Sequence, residues 1–152
     1  MTLLGIDPGT SCGWAVVASD GVRLAGGTWD LQPRRHEGGG MRYVRLRRYL
    51  TDILEAWPTI SVVAYEEVRR HAGTDAAHIY GGIVGVISQV CEEREIAYHG
   101  VPVPAVKRRA TGKGNAGKAE MIEAFAAYVG ADAGTDDEAD ALFVALVGLE
   151  SV

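Results

Sequence analysis

The sequence predicts an α/β layer fold built on one five-stranded mixed sheet, and two patterns carry that prediction. Three short β-prone runs separated by Gly-bearing turns occupy the first thirty residues, and two further β-prone runs follow, each set between amphipathic helices. No linker long enough to divide the chain interrupts this order, so residues 1–152 are expected to form a single domain.

Leu3 to Ile6, Trp14 to Val17 and Leu24 to Trp29 read as an antiparallel meander, with turns at Gly9, Gly13 and Asp20–Gly21. A glycine-rich stretch, Glu37 to Gly40, leads into a helix from Met41 to Trp57. Its apolar positions Tyr43, Leu46, Leu50, Ile53 and Trp57 recur at spacings of three and four, while Arg42, Arg45 and Arg48 fall on another, outward face. Pro58 stops it. Ile60 to Tyr65 is a buried strand by its β-branched content and runs into Glu66–Glu67. A second helix, about Asp75 to Arg94, is apolar on two sides and carries Gly81, Gly82 and Gly85, so it needs two surfaces to bury against. One is the sheet, and the other is a partner subunit or the chain itself. Ile96 to Val101 forms the fifth strand. Pro104 opens a short helix ending near Thr111, a Gly-rich basic loop runs to Gly117, and helices follow over Lys118 to Val129 and from Thr135 to about Leu149.

Composition narrows the function classes. No apolar run approaches the roughly 18 residues of a membrane span, and no basic segment precedes the first apolar stretch, so a cytoplasmic protein is expected. Cys12 and Cys91 lack CxxC spacing and read as reduced, buried thiols. The net charge is −5, yet thirteen of the fifteen Lys and Arg fall in three clusters: Arg34 to Arg48, Arg69–Arg70, and Lys107 to Lys118. Clustered positive charge suits a polyanion whatever the net balance, although any one cluster alone also fits a solvated surface.

Four acids stand out by position. Asp7 ends the first strand before Pro8–Gly9, and Glu66 ends the fourth. Asp137 and Asp140, three apart, project from one face of the last helix. Asp7 alone also fits a turn former, and Asp136 and Asp137 fit the positive end of a helix with Thr135 and Glu138 as a capping box; neither reading explains Asp140 one turn further in. Converging carboxylates repel and raise one another's pKa, a conflict that a hard divalent cation such as Mg²⁺ or Mn²⁺ resolves. Strand alternation turns Glu67 to the opposite face from Glu66.

Gly5-Ile6-Asp7-Pro8-Gly9-Thr10, Ala64-Tyr65-Glu66, Val106-Lys107 with Thr111 to Lys118, and Asp137-Glu138-Ala139-Asp140-Ala141-Leu142 together resemble, in order and spacing, the RuvC family of crossover junction endonucleases. The resemblance covers nearly the whole chain. It implies an RNase H-like fold and a homodimer that resolves four-way (Holliday) junctions in DNA recombination, repair or phage DNA processing. It further implies that Asp7, Glu66, Asp137 and Asp140 are both the catalytic residues and the metal ligands, with about two Mg²⁺ per site and Mn²⁺ as a substitute. Lys107 and Lys118 are then expected to face substrate phosphates, joined by Arg42, Arg45, Arg69, Arg70, Arg108 and Lys113. Arg69-Arg70-His71 stands where cellular members tend to place an aromatic, so the chain is similar to divergent, phage-type members, some of which act on other branched DNA.

Rival readings remain at this point. Gly112 to Lys118 approaches a phosphate-binding GxxxxGK loop, but Ala119 replaces the Ser or Thr that would hold Mg²⁺ and no buried strand precedes it, so no nucleotide cofactor is expected. Asp7-Pro8-Gly9-Thr10 also matches the first phosphate loop of actin-like and sugar-kinase ATPases, which need two such domains. A non-catalytic DNA-binding module would be weakened by four acids beside a phosphate backbone. A related nuclease acting on RNA would share them.

Overall fold

A computed structural model describes all residues, Met1–Val152. The element order is β1 (Thr2–Asp7), β2 (Ser11–Ala18), β3 (Arg23–Asp30), α1 (Met41–Ala56), β4 (Ile60–Glu67), α2 (Thr74–Glu93), β5 (Ala97–Pro102), α3 (Val103–Thr111), α4 (Lys118–Val129) and α5 (Asp136–Glu150). The expected α/β architecture is the observed one, with each boundary within a few residues of the sequence reading. The strands lie in the order β3-β2-β1-β4-β5. The meander β1–β2–β3 is antiparallel, and β4 and β5 add in parallel beside β1. The crossovers that parallel pairing demands are supplied by α1 and α2.

Side-chain alternation divides the core into two layers. Leu4, Ile6, Val16 and Val63 face α1 and α2, where they meet Leu46, Leu50, Ile83 and Ile87. Leu3, Val17, Val62 and Ala64 face the other way, onto Val106 of α3, Met121 and Phe125 of α4, and Leu142, Ala145 and Leu146 of α5. Both cysteines are free and buried.

The contact that sets the geometry is the one between α5 and the sheet. A Cβ at Gly5 would come within 2.5 Å of the Ala145 nitrogen, and one at Gly13 within 1.9 Å of the Asp137 carbonyl oxygen. A Cβ on Gly148 would in turn come within 2.5 Å of that of Ala64. Side chains usually hold packed elements ~10 Å apart. Here two backbones touch, because the residues between them are glycine and alanine.

The expectation that Arg42 and Arg45 lie on an outward face of α1 is overturned. They are only 8% and 7% exposed. Arg45 turns back to grip Glu37, three residues before the helix cap, with Nη2 2.7 Å from Oε1. The 3.6-residue period places a charged side chain on a helix surface but does not foresee a partner in the preceding loop that draws it inward.

Gly5→Ala is expected to lower stability by about 1–3 kcal/mol, since the methyl meets main-chain atoms that cannot rotate away. Gly39→Ala, where nothing lies within 4 Å, is expected to change it far less. Urea denaturation of both variants checks the difference, and equal effects would show that the close approach is not a constraint.

Candidate active site

Parallel pairing of β1 with β4 brings Ile6 opposite Tyr65, so Asp7 and Glu66 leave adjacent strands side by side at one end of the sheet. Both point to the α5 layer, as Leu3, Val62 and Ala64 do on alternate positions. The first turn of α5 arrives at the same end because Gly13, the β2 partner of Asp7, admits the Asp137 backbone. Three further contacts fix that turn. The Thr135 hydroxyl accepts from the Glu138 N–H at 3.0 Å and lies 2.8 Å from the Thr28 hydroxyl. Glu138 accepts from the Gly134 N–H at 2.9 Å and pairs with Arg23 at 2.6 Å. The sequence reading anticipates the Thr135 cap; the anchors on β3 are tertiary.

The electrostatics reflect this convergence. Burial, then the charges of Glu66, Asp140 and Asp137, hold the Asp7 carboxyl well above the usual carboxylate range. Glu66 is raised by burial, with Lys107 opposing and Asp137 adding. Asp140 is pushed up to about 7 by burial and then by Glu66, Asp136 and Asp137, again against Lys107. The structure thus brings together all four acids expected from the sequence, and one of the expected cations.

No three acidic, histidine or cysteine side chains close round a common point. The donor set is nonetheless all oxygen, convergent and under-compensated, with one half-buried lysine facing several carboxylates. That chemistry fits a hard divalent cation, which would remove the repulsion the fold imposes.

The other expected contacts lie on the flanks of this end. Arg69 and Arg70 are exposed just beyond Glu66–Glu67, with Arg69 paired loosely to Glu67 at 3.2 Å. Arg108, Lys113 and Lys118 are exposed along α3, its following loop and the start of α4; Lys113 lies 3.4 Å from Glu120 and Lys118 3.8 Å from Asp136. Arg42 and Arg45 stand apart, buried in the α1 layer.

Tyr80 of α2 escapes the sequence reading. Its hydroxyl donates to the Glu66 carbonyl and accepts from the Val68 N–H, both at 3.0 Å. Val101 pairs with Glu66 and Pro102 with Glu67, so the β4 ladder runs out against a residue that has no N–H. Tyr80 fills the vacancy and fixes the backbone that carries Glu66. Nothing local in the sequence signals it, because its partners are fourteen and twelve residues away.

The chain matches the family model for crossover junction endodeoxyribonuclease RuvC over residues 3–148. The RuvC of Anaeromyxobacter sp. (strain Fw109-5), a crossover junction endodeoxyribonuclease, is 34% identical over 98% of this chain and 73% of its own length. Thermus thermophilus RuvC superposes with a TM-score of 0.81 at 25% identity, covering 99% of this chain and 95% of that one. The T. thermophilus RuvC solved in complex with Holliday junction substrate shares the fold, with a TM-score of 0.85 at 24% identity over 99% and 94% of the two chains.

A carboxyl raised in the folded state binds its proton more tightly there than when unfolded. Its stabilisation is therefore complete below the ordinary value of 3.8 and is lost as pH rises through about 7. Without metal, the chain is expected to weaken across that window. Asp140→Asn should then be more stable than the parent by about 1–3 kcal/mol at pH 8 and close to it at pH 4. Thermal melts in EDTA at the two pH values measure this; an Asp140→Asn chain less stable at pH 8 would mean that the carboxylates are not in conflict.

Proposed function

Because the chain belongs to the RuvC family of crossover junction endodeoxyribonucleases, we propose that it resolves four-way (Holliday) junctions by symmetric nicking of two strands. It would act in the cytoplasm, in DNA recombination, repair or phage DNA processing. The family is one of metal-dependent phosphodiester hydrolases. The observation that carries the reading is the meeting of Asp7, Glu66, Asp137 and Asp140 at one end of the sheet, beside Lys107.

Those four carboxylates are the proposed catalytic residues and metal ligands, for two Mg²⁺ with Mn²⁺ as a substitute; no nucleotide cofactor enters. When bound, the cations would lower the pKa of a water for in-line attack and stabilise the leaving oxygen. The protein's part is placement. Asp7 and Glu66 are held by strand pairing, and Asp137 and Asp140 by the capped first turn of α5. Lys107, whose charge reaches both Glu66 and Asp140, is proposed to meet a non-bridging phosphate oxygen. Arg69, Arg70, Arg108, Lys113 and Lys118 are proposed to grip phosphates on either side.

A junction offers two equivalent strands, so a two-fold homodimer is the matching assembly. We assign its shared surface to α2. The outer side of this helix carries Ala77, Gly81, Val84, Gly85 and Ser88, and a Cβ at Gly81 or Gly85 would meet nothing within 4 Å. A second helix can approach closely there.

Asp7→Asn is expected to keep the fold and junction binding while lowering the cutting rate at least about a thousandfold. Cleavage of a synthetic four-way junction, linear duplex and an RNA–DNA hybrid, with Mg²⁺ or EDTA, tests this. Cutting of the hybrid alone would identify an RNA-directed relative, and binding with no cutting of anything would leave a DNA-binding module. Tyr80→Phe should reduce cutting about tenfold with little change in junction affinity, because it loosens the backbone under Glu66 rather than a phosphate contact. A fall confined to affinity would reassign Tyr80 to substrate binding.

A further inference from the structure

Six of the fifteen Lys and Arg lie between Arg34 and Arg48, and the structure splits them by role. Arg45 is buried, and its Nη2 contacts Glu37 at both carboxylate oxygens, 2.7 and 2.5 Å away. Glu37 Oε1 also accepts from the Arg34 N–H at 2.7 Å, and the Glu37 N–H donates to the Arg34 carbonyl at 3.0 Å. The Arg34–Glu37 turn is thereby closed on itself and clasped to α1. Glu37 is the only acid between Leu31 and Thr51, and its charge is directed inward to Arg45. Arg34, Arg35 and His36 are exposed, and neither arginine side chain pairs with a carboxylate.

The loop also stands near the site. Asp30, the last residue of β3, pairs with Ser11, while Asp7 pairs with Gly13 two residues along the same strand. The Leu31 N–H donates to the Thr10 carbonyl at 2.8 Å. The loop therefore leaves the sheet at the end that holds the carboxylates, two strands across from Asp7, on the order of 10 Å at ordinary strand spacing. Its far side is open: a Cβ at Gly38, Gly39 or Gly40 would meet nothing within 4 Å.

We propose that the Arg34–Gly40 loop is a second DNA-backbone contact, in which Arg34 and Arg35 bind phosphates of a junction arm on the β3 side of the cleavage site. Arg45 and Glu37 are positioning residues that hold the loop rather than touch DNA. The inference rests on the reading that the chain acts on branched DNA, and it adds a grip on the flank opposite Arg69, Arg70 and α3. Its physical basis is a fixed turn of net positive charge, with two exposed arginines free of carboxylate partners, beside the one place to which phosphate must come.

The test is binding of a fluorescent four-way junction across a range of NaCl concentrations, with the full chain carrying Asp7→Asn so that nothing is cut. Adding Arg34→Gln with Arg35→Gln should weaken binding about tenfold and make the log–log salt slope shallower by about 2, one for each arginine–phosphate pair removed. Arg45→Gln should give part of the same weakening and Arg45→Lys less, while Arg94→Gln, at the other end of the sheet, should change neither affinity nor slope. An unaltered slope and affinity in the double variant would overturn the proposal while junction binding by its parent left the wider reading standing. A parent that binds no junction at all would overturn both.

Discussion

The seam where α5 lies on the sheet is the constraint on which the rest depends. Gly5 and Gly13 on the strands meet the α5 backbone directly, and Ala64 meets Gly148 further along. Side chains of ordinary size would hold the helix several ångströms higher and carry Asp137 and Asp140 away from Asp7 and Glu66 with it. The site is thus set by the absence of side chains, at Gly13 beside the carboxylates and at Gly5 and Gly148 further along the seam. The same seam fixes direction, because the Gly13 contact falls on the first turn of the helix, where Asp137 sits one turn below Asp140.

Bringing four acids together opposes folding, and the structure offsets the repulsion only in part. The first turn of α5 presents unpaired N–H groups and the positive end of the helix dipole to Asp136 and Asp137. Lys107 draws the Glu66 and Asp140 carboxyls back toward ionisation, while Arg23 engages Glu138 and removes a fifth charge from the problem. Asp7 keeps its raised pKa despite these contributions. A carboxylate cluster left in conflict by its own fold is chemically suited to a cation, whose binding would offset the stability given up there.

Much of this is legible in the sequence where the signal is local. The strand ends at Asp7 and Glu66, the helical spacing of Asp137 and Asp140, the Thr135 cap and the opposite facing of Glu67 all follow from periods of 2 and 3.6. What escapes is tertiary. Arg42 and Arg45 match a solvated helix face by period, but a partner in the preceding loop pulls Arg45 under cover. Tyr80 and Thr28 matter through contacts with residues that no local pattern relates to them. Gly13 reads as a turn residue but lies inside β2; a glycine within a strand marks close backbone approach, and the neighbour that needs the room is α5.

A chain of net charge −5 is an unpromising DNA ligand by composition alone, and arrangement resolves the paradox. At the carboxylate end, exposed cations stand on both flanks: Arg34 and Arg35 on the β3 side, and Arg69, Arg70, Arg108 and Lys113 toward β5 and α3. Between them lies the acidic centre, whose charge would repel a phosphate unless a cation neutralised it. On the proposed reading, backbone contacts on the flanks would hold a duplex whether or not the centre were filled, whereas approach of a scissile phosphate would depend on cation occupancy. Lys107 stands among the acids, and its single charge leaves the Glu66 and Asp140 carboxyls raised despite it.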